Sequence, residues 1–243
     1  MGWYAVFLRE ALLMRRRWWR LLSSMSVSPL LYLVAFGYAL GSGTSAQGRP
    51  YLEFLLPGLA AMSSMNQAWA IASEINVARF YWRIFEEFQA APLSAAGYVL
   101  GEVLAGILRA ALAVMIILLL GAAFGVRLHW GPWFWLAAGL NSLIFAALAV
   151  ALAMRVKSHA DQALLTSFVI TPMAFLGGTV FPVERLPVWA RWAVEVLPLT
   201  HASRLMRAAA QGSEIPWLSL ALLVGLGGVF FLLAWSSVGR ARD

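Results

Sequence analysis

The residues able to do chemistry in this chain are few, and most of them are arginine. Its 243 residues include His129, His159 and His201, a lone lysine at Lys157 and no cysteine. Thiolate metal sites, disulfides and cysteine nucleophiles are thereby excluded together. The histidines are far apart and none has a second ligand at metal spacing, so no metal site is expected; His201 reads as a capping or packing residue. Lys157, in MRVKSH, has no glycines before it, and the phosphate-cradling pattern G-x-x-x-x-G-K-[ST] is missing. No hydroxyl, imidazole and carboxylate set emerges that would support nucleophilic catalysis.

Two groups of ionisable residues remain. Glu102 and Arg109 fall within a long apolar run, where an unpaired charge is costly. They are expected to form a structural or gating pair, across i,i+7 or by reaching another helix, in preference to a proton relay. Asn66, Gln67 and Asn141 are expected to hydrogen-bond between helices rather than to hold a substrate. In the second group, Asn76, Arg79, Arg83, Glu86 and Glu87 lie on one side of a helical stripe made by Val77, Phe80, Tyr81, Ile84, Phe85 and Phe88. Pro92 ends that pattern, because its ring cannot continue the hydrogen-bond ladder and the residue before it is pushed toward extended backbone. The spacing predicts a short amphipathic helix over 76–92. Two readings stay open for it: a docking helix for another protein, or a solvated loop in which Arg83 and Glu87 form an i,i+4 pair.

The elements that must position these residues are apolar throughout. Hydrophobic residues make up 62% of the chain and charged ones 12%, and the mean hydropathy is +0.77, far from soluble averages. About 20 apolar residues suffice to cross a hydrocarbon core, and windows of that kind run over Met25–Gly41, Phe54–Ser73, Ala96–Gly125, Trp133–Met154, Ala163–Phe181 and Trp217–Ser237. Unpaired backbone groups are costly in lipid and the period-2 pattern of a barrel is absent, so each window is expected to be helical. The fold class is an all-α integral membrane protein with six transmembrane helices, in one domain over 1–243. With the N-terminus inside, 11 Arg and Lys residues lie on the inner side against 6 outside, which places both termini in the cytoplasm. The net charge of +7 comes from arginines flanking apolar runs, where anionic lipid headgroups, not nucleic acid, are the partner.

Residues 3–22 carry Trp3, Phe7, Met14, Trp18 and Leu21 at helical spacing, with Arg9, Arg16 and Arg20 on another face. They read as an interfacial helix or as an ordinary positive flank of the first span, and less well as an export signal. Between the fifth and sixth windows, residues 183–212 contain two stretches too short to cross, separated by Pro198; Thr200 would cap the second, which ends near Gly212. A pair of short outer-leaflet helices is expected, with Leu186, Trp189, Ala190, Ala193 and Leu197 as an apolar stripe. Gly177 and Gly178 precede them as a plausible hinge. Gly97/Gly101 and Gly121/Gly125 match G-x-x-x-G, which marks close packing as often as dimerisation.

The segment RIFEEFQAAPLSAAGYVLGE (83–102) resembles a signature stretch of ABC-2-type transporter permeases, the membrane subunits of a class of ATP-binding-cassette exporters. YLEFLLPGLAAMS (51–63), FLGGTVFPVERLPVWARW (175–192) and VLPLTHASRLMRAAAQG (196–212) agree with it, and the last two are most similar to nodulation-factor and daunorubicin-type export permeases. Ile84-Phe85 stands where many relatives carry Gly-Thr. The resemblance implies that 76–92 is the coupling helix, with Arg79, Arg83, Glu86, Glu87 and Pro92 at the contact with a separate cytoplasmic ATPase. It implies ATP and magnesium on that partner, no cofactor on this chain, no catalytic activity of its own, a second permease copy, and outward movement of a drug, a lipid or a lipid-linked saccharide across an inner membrane. A non-transporting scaffold that recruits a soluble partner through the same helix is the alternative, followed by an ion-coupled carrier.

Overall fold

A computed structural model describes residues 2–39, 45–46, 49–82 and 93–240. Helix α1 (Gly2–Arg16) is followed after Arg17 by α2 (Trp18–Ala39), then a two-residue ladder pairs β1 (Ser45–Ala46) with β2 (Arg49–Pro50). There follow α3 (Tyr51–Trp69), α4 (Ile71–Phe80), α5 (Ala95–Ala123), α6 (Pro132–Ala153), α7 (His159–Leu165), a π turn (Thr166–Ile170) and α8 (Thr171–Leu176). A 3-10 turn (Val183–Arg185), α9 (Val188–Glu195), α10 (Pro198–Gln211) and α11 (Trp217–Arg240) complete the chain. Apart from the short β ladder, the regular structure among the described residues is helical, as the composition requires.

Local sequence explains the ends of several helices. The Ser94 side chain accepts a hydrogen bond from the Gly97 amide and starts α5, and Ser158 does the same for α7 through the Asp161 amide. Pro132 and Pro198 open α6 and α10, where a missing amide proton costs nothing. Gly212 ends α10 with φ +66°, a left-handed position that glycine takes without strain.

Among the described residues, four helices are long and apolar enough to cross a membrane: Trp18–Phe36 within α2, then α5, α6 and α11. The second and fifth sequence windows are built differently. The second is cut at Ala70 into α3 and α4, and the fifth contains a π turn between α7 and α8. The Arg17 break also shortens the expected interfacial segment, since 18–22 belong to α2, where the Leu21 amide bonds to the Arg17 carbonyl.

Helix α3 is the centre of the bundle. It is buried along most of its length, with Phe54, Leu55, Leu56, Leu59 and Met65 fully enclosed, and it packs on α5, α6 and α10. A buried polar side chain ties it to its neighbour: the Asn141 amide of α6 donates to the Ala61 carbonyl (3.0 Å) and to Ser64 (2.6 Å) of α3. Helices α2 and α11 keep most of their surface outside the bundle, as helices facing lipid do. The ends of α4 and α6 meet where Arg79 bonds to the Ala153 carbonyl, and the end of α11 lies beside them. We call this the N-terminal face. The opposite face is tied by the Tyr51 hydroxyl donating to the Val180 carbonyl (2.7 Å) and the His129 amide donating to the Ala210 carbonyl (2.8 Å).

Candidate functional site

On the N-terminal face, α1 lies across the start of α5 because glycines let it. A Cβ on Gly101 would stand 2.6 Å from the Val6 Cβ and 2.8 Å from the Trp3 carbonyl oxygen, and one on Gly97 would touch the Trp3 backbone. The Gly97/Gly101 motif therefore seats α1. Gly121, of the second such motif, meets Leu56 of α3. This close seating buries the carboxyl-bearing residues Glu10 of α1 and Glu102 of α5.

One ion pair here joins two helices and another lies within α1. Arg109 of α5 donates through Nε to Gln67 Oε1 of α3 (2.9 Å) and forms an ion pair with Glu74 of α4. It does not bond Glu102: seven residues along a helix is a rise of about 10.5 Å, and α4 brings a carboxylate nearer. Glu10 pairs with Arg9 at 2.6 Å. Burial lifts the Glu10 carboxyl pKa above its ordinary value against the pull of Arg9; Glu74 adds to the rise and Arg109 opposes it. Of these residues, sequence reasoning missed Glu10 and Glu74. The signal for Glu74 was the rule that an ionisable group at membrane depth needs a partner. In a double-mutant cycle, Arg109→Met and Glu74→Gln should fall short of additivity by about 1 kcal/mol, as befits a half-exposed pair. Arg109→Met with Glu102→Gln should add within about 0.5 kcal/mol, with thermal unfolding in detergent as the measurement.

Helix α4 is fastened to its neighbours at the same face. Asn76, expected on the open side, is fully buried and donates to Gln162 of α7 (3.3 Å). The Arg79 guanidinium, besides its bond to the Ala153 carbonyl, stands 5.3 Å from the centre of the Phe80 ring. Tyr81 and Phe80 flank the His159 ring. Arg83, Glu86, Glu87 and Pro92 lie outside the described residues.

The opposite face holds Gly177 and Gly178 in a clasp. Gly178 has φ +67°, and a side chain on Gly177 would collide with Leu199 of α10. Ser203 donates to the Gly177 carbonyl (2.8 Å), and Arg207 donates to the carbonyls of Gly178 (2.8 Å) and Phe54 (3.3 Å). The Arg207 guanidinium also lies 3.8 Å from the centre of the Phe54 ring. The two glycines expected as a hinge are thus the place where α3, α8 and α10 are bolted together. Thr200 does not cap α10; its hydroxyl lies inside the helix and donates to the Val194 carbonyl (2.7 Å). His201 bridges the Glu195 carbonyl (2.8 Å) and the Ser219 hydroxyl (3.1 Å), joining α9, α10 and α11. In α9 it is Val194 that turns inward, while Trp189 and Trp192, and Val196 just past its end, face out. Among the described residues no group of three or more metal-ligating side chains is gathered.

Among the described residues these arrangements tie helices together and hold charge, and no catalytic set is assembled. The family model described as ABC-2 type transporter matches residues 1–210. The chain is similar to the inner membrane transport permease YadH of Escherichia coli K12, with 28% identity over 98% of this chain and 94% of that one. It is similar also to nodulation protein J of Neorhizobium galegae, with 30% identity over 91% of this chain and 86% of that one. Nodulation protein J of Rhizobium leguminosarum bv. trifolii is likewise 30% identical, over 88% of this chain and 83% of its own length.

Proposed function

Because the chain belongs to the ABC-2 type transporter family, we propose that it is the membrane-spanning permease of an exporter whose ATP is hydrolysed on a separate ATP-binding-cassette subunit. The observation that carries this reading is the family match over residues 1–210, taken with a sequence that has no phosphate-cradling motif of its own. The permease crosses the inner membrane six times, α3 with α4 and α7 with α8 adding two passes to the four long apolar helices, and both termini are cytoplasmic. ATP and magnesium bind the partner. A second permease copy completes the pathway, and the cargo is a hydrophobic or amphipathic molecule: a drug, a lipid or a lipid-linked saccharide.

Segment 76–92 is the lever, with Arg79, Arg83, Glu86, Glu87 and Pro92 at or near the ATPase. Its support is the way α4 is held. Arg79 fastens it to α6 and Asn76 to α7, so a push delivered at its C-terminal end reaches two further helices as a rigid-body displacement. Reversing one charge on the lever tests this. Glu87→Arg should lower recovery of the co-expressed ATPase about tenfold, on the scale of a lost interfacial charge contact, while the permease still inserts in the membrane. Undiminished co-purification and transport would remove the docking role.

A further inference from the structure

Two cavities adjoin on the N-terminal face. The first, about 280 Å³, is lined by Arg9, Glu10, Arg17, Glu74 and Arg109 together with apolar residues that include Met14 and Leu21. The second, about 200 Å³, is apolar apart from Arg15, with Trp18, Met25, Leu108 and Leu112 on its walls, and Met14 and Leu21 line it too. A chamber with arginines and carboxylates on its wall therefore opens beside a greasy slot along α5, and the pair shares one wall. Most charges in the chamber are already matched: Arg109 with Glu74, and Arg9 with Glu10. Arg17 is the exception. It occupies the break between α1 and α2, and its guanidinium has no hydrogen bond or ion pair among the described residues.

From this juxtaposition we propose that the two cavities form one binding site for an anionic phospholipid of the surrounding bilayer, its phosphate at Arg17 and part of one acyl chain in the slot against Leu108 and Leu112. An uncharged drug would have no use for the arginine, and a free anion none for the slot. The lipid fills a gap between the α1–α2 break and α5, so it acts as a wedge that holds α1 in place. The site stands apart from the glycine contacts that seat α1 farther along, at Val6 and Trp3.

The experiment uses the full chain, purified and depleted of lipid, with thermal unfolding followed while phosphatidylglycerol, phosphatidylcholine or glycerol phosphate is added. Phosphatidylglycerol should raise the midpoint at lower concentration than phosphatidylcholine, and glycerol phosphate should leave it unmoved. Arg17→Gln should raise the half-saturating phosphatidylglycerol concentration about fivefold, as expected for one arginine facing an anionic lipid. Arg20→Gln, an exposed arginine that lines neither cavity, should not. Leu108→Trp, which fills the slot, should weaken the phosphatidylglycerol response with every arginine retained. Equal responses to the two lipids, equal effects of Arg17→Gln and Arg20→Gln, an unaltered response in Leu108→Trp, or a full shift with glycerol phosphate would each overturn the site.

Discussion

Gly58→Ala is expected to destabilise the folded protein by about 3 kcal/mol, the upper end of what overpacking costs. A Cβ built at this position stands 2.0 Å from the Thr179 carbonyl oxygen and under 3 Å from two more backbone atoms of that residue. Backbone cannot swing aside as a flexible side chain would, so α3 and the turn after α8 must separate. That separation works against the clasp itself, because Tyr51 of α3 and Arg207 of α10 hold the same turn. Gly139→Ala supplies the control. Nothing lies within 4 Å of a Cβ there, and replacing a mid-helix glycine relieves its conformational cost, so α6 should gain up to about 1 kcal/mol. The two variants differ by the same methyl group. Thermal unfolding in detergent should move in opposite directions for them, and a Gly58→Ala midpoint equal to wild type would mean that the turn does not press on α3.

That contrast shows what kind of information a single sequence holds. Long apolar runs put α5 and α6, and Pro198 with Gly212 put α10, within a few residues of where they lie, because hydropathy and helix-bounding residues are local properties. The family, too, was readable, since its motifs extend along the chain in order. Contacts between distant segments were not. Nothing local to Arg109 distinguishes Glu102 from Glu74 as a partner; that depends on α4 lying beside α5. Periodicity put Asn76 on the open side of a helix, and only the packing of α4 on α7 turns that side inward. The stripe on α9 shows the converse. Amphipathic spacing was correctly seen, yet its tryptophans face away from the bundle, because in a membrane the apolar side of a short helix has two apolar environments available to it. Glycine pairs were equally ambiguous until Gly101 was found against Val6 and Gly121 against Leu56. For residues 83–92, which lie outside the described residues, the stripe of aromatic positions remains the argument.

Arg207→Leu should cost about 2–4 kcal/mol and should be the most damaging single change on α10. Its guanidinium supplies donors to the Phe54 and Gly178 carbonyls and sits over the Phe54 ring. Removing it takes a donor from the buried Gly178 carbonyl, at about 1–3 kcal/mol, and a second donor from the Phe54 carbonyl, which stays in the α3 ladder, and forfeits a cation–π contact of up to about 2 kcal/mol. Part of this is returned, because the wild-type protein holds a charge away from water. Burial pulls the Arg207 pKa down to about 10, with Glu184 resisting the fall, so the group remains charged at neutral pH but at a cost that leucine does not bear. Arg207→Lys separates geometry from charge. A single ammonium keeps the charge but lacks the planar fork that meets two carbonyls and a ring at once, so lysine should recover less than half of the loss. Should lysine restore full stability, charge alone would be what the position requires; should leucine prove as stable as arginine, the Gly178 carbonyl must find another donor. The consequence for transport follows from place: Arg207 joins α3, the buried centre of the bundle, to the glycine turn and to α10. If the chain works as the proposed permease, loosening it should reduce export even at temperatures where the variant remains folded, a split between stability and transport rate that vesicles reconstituted with the proposed ATPase partner would measure.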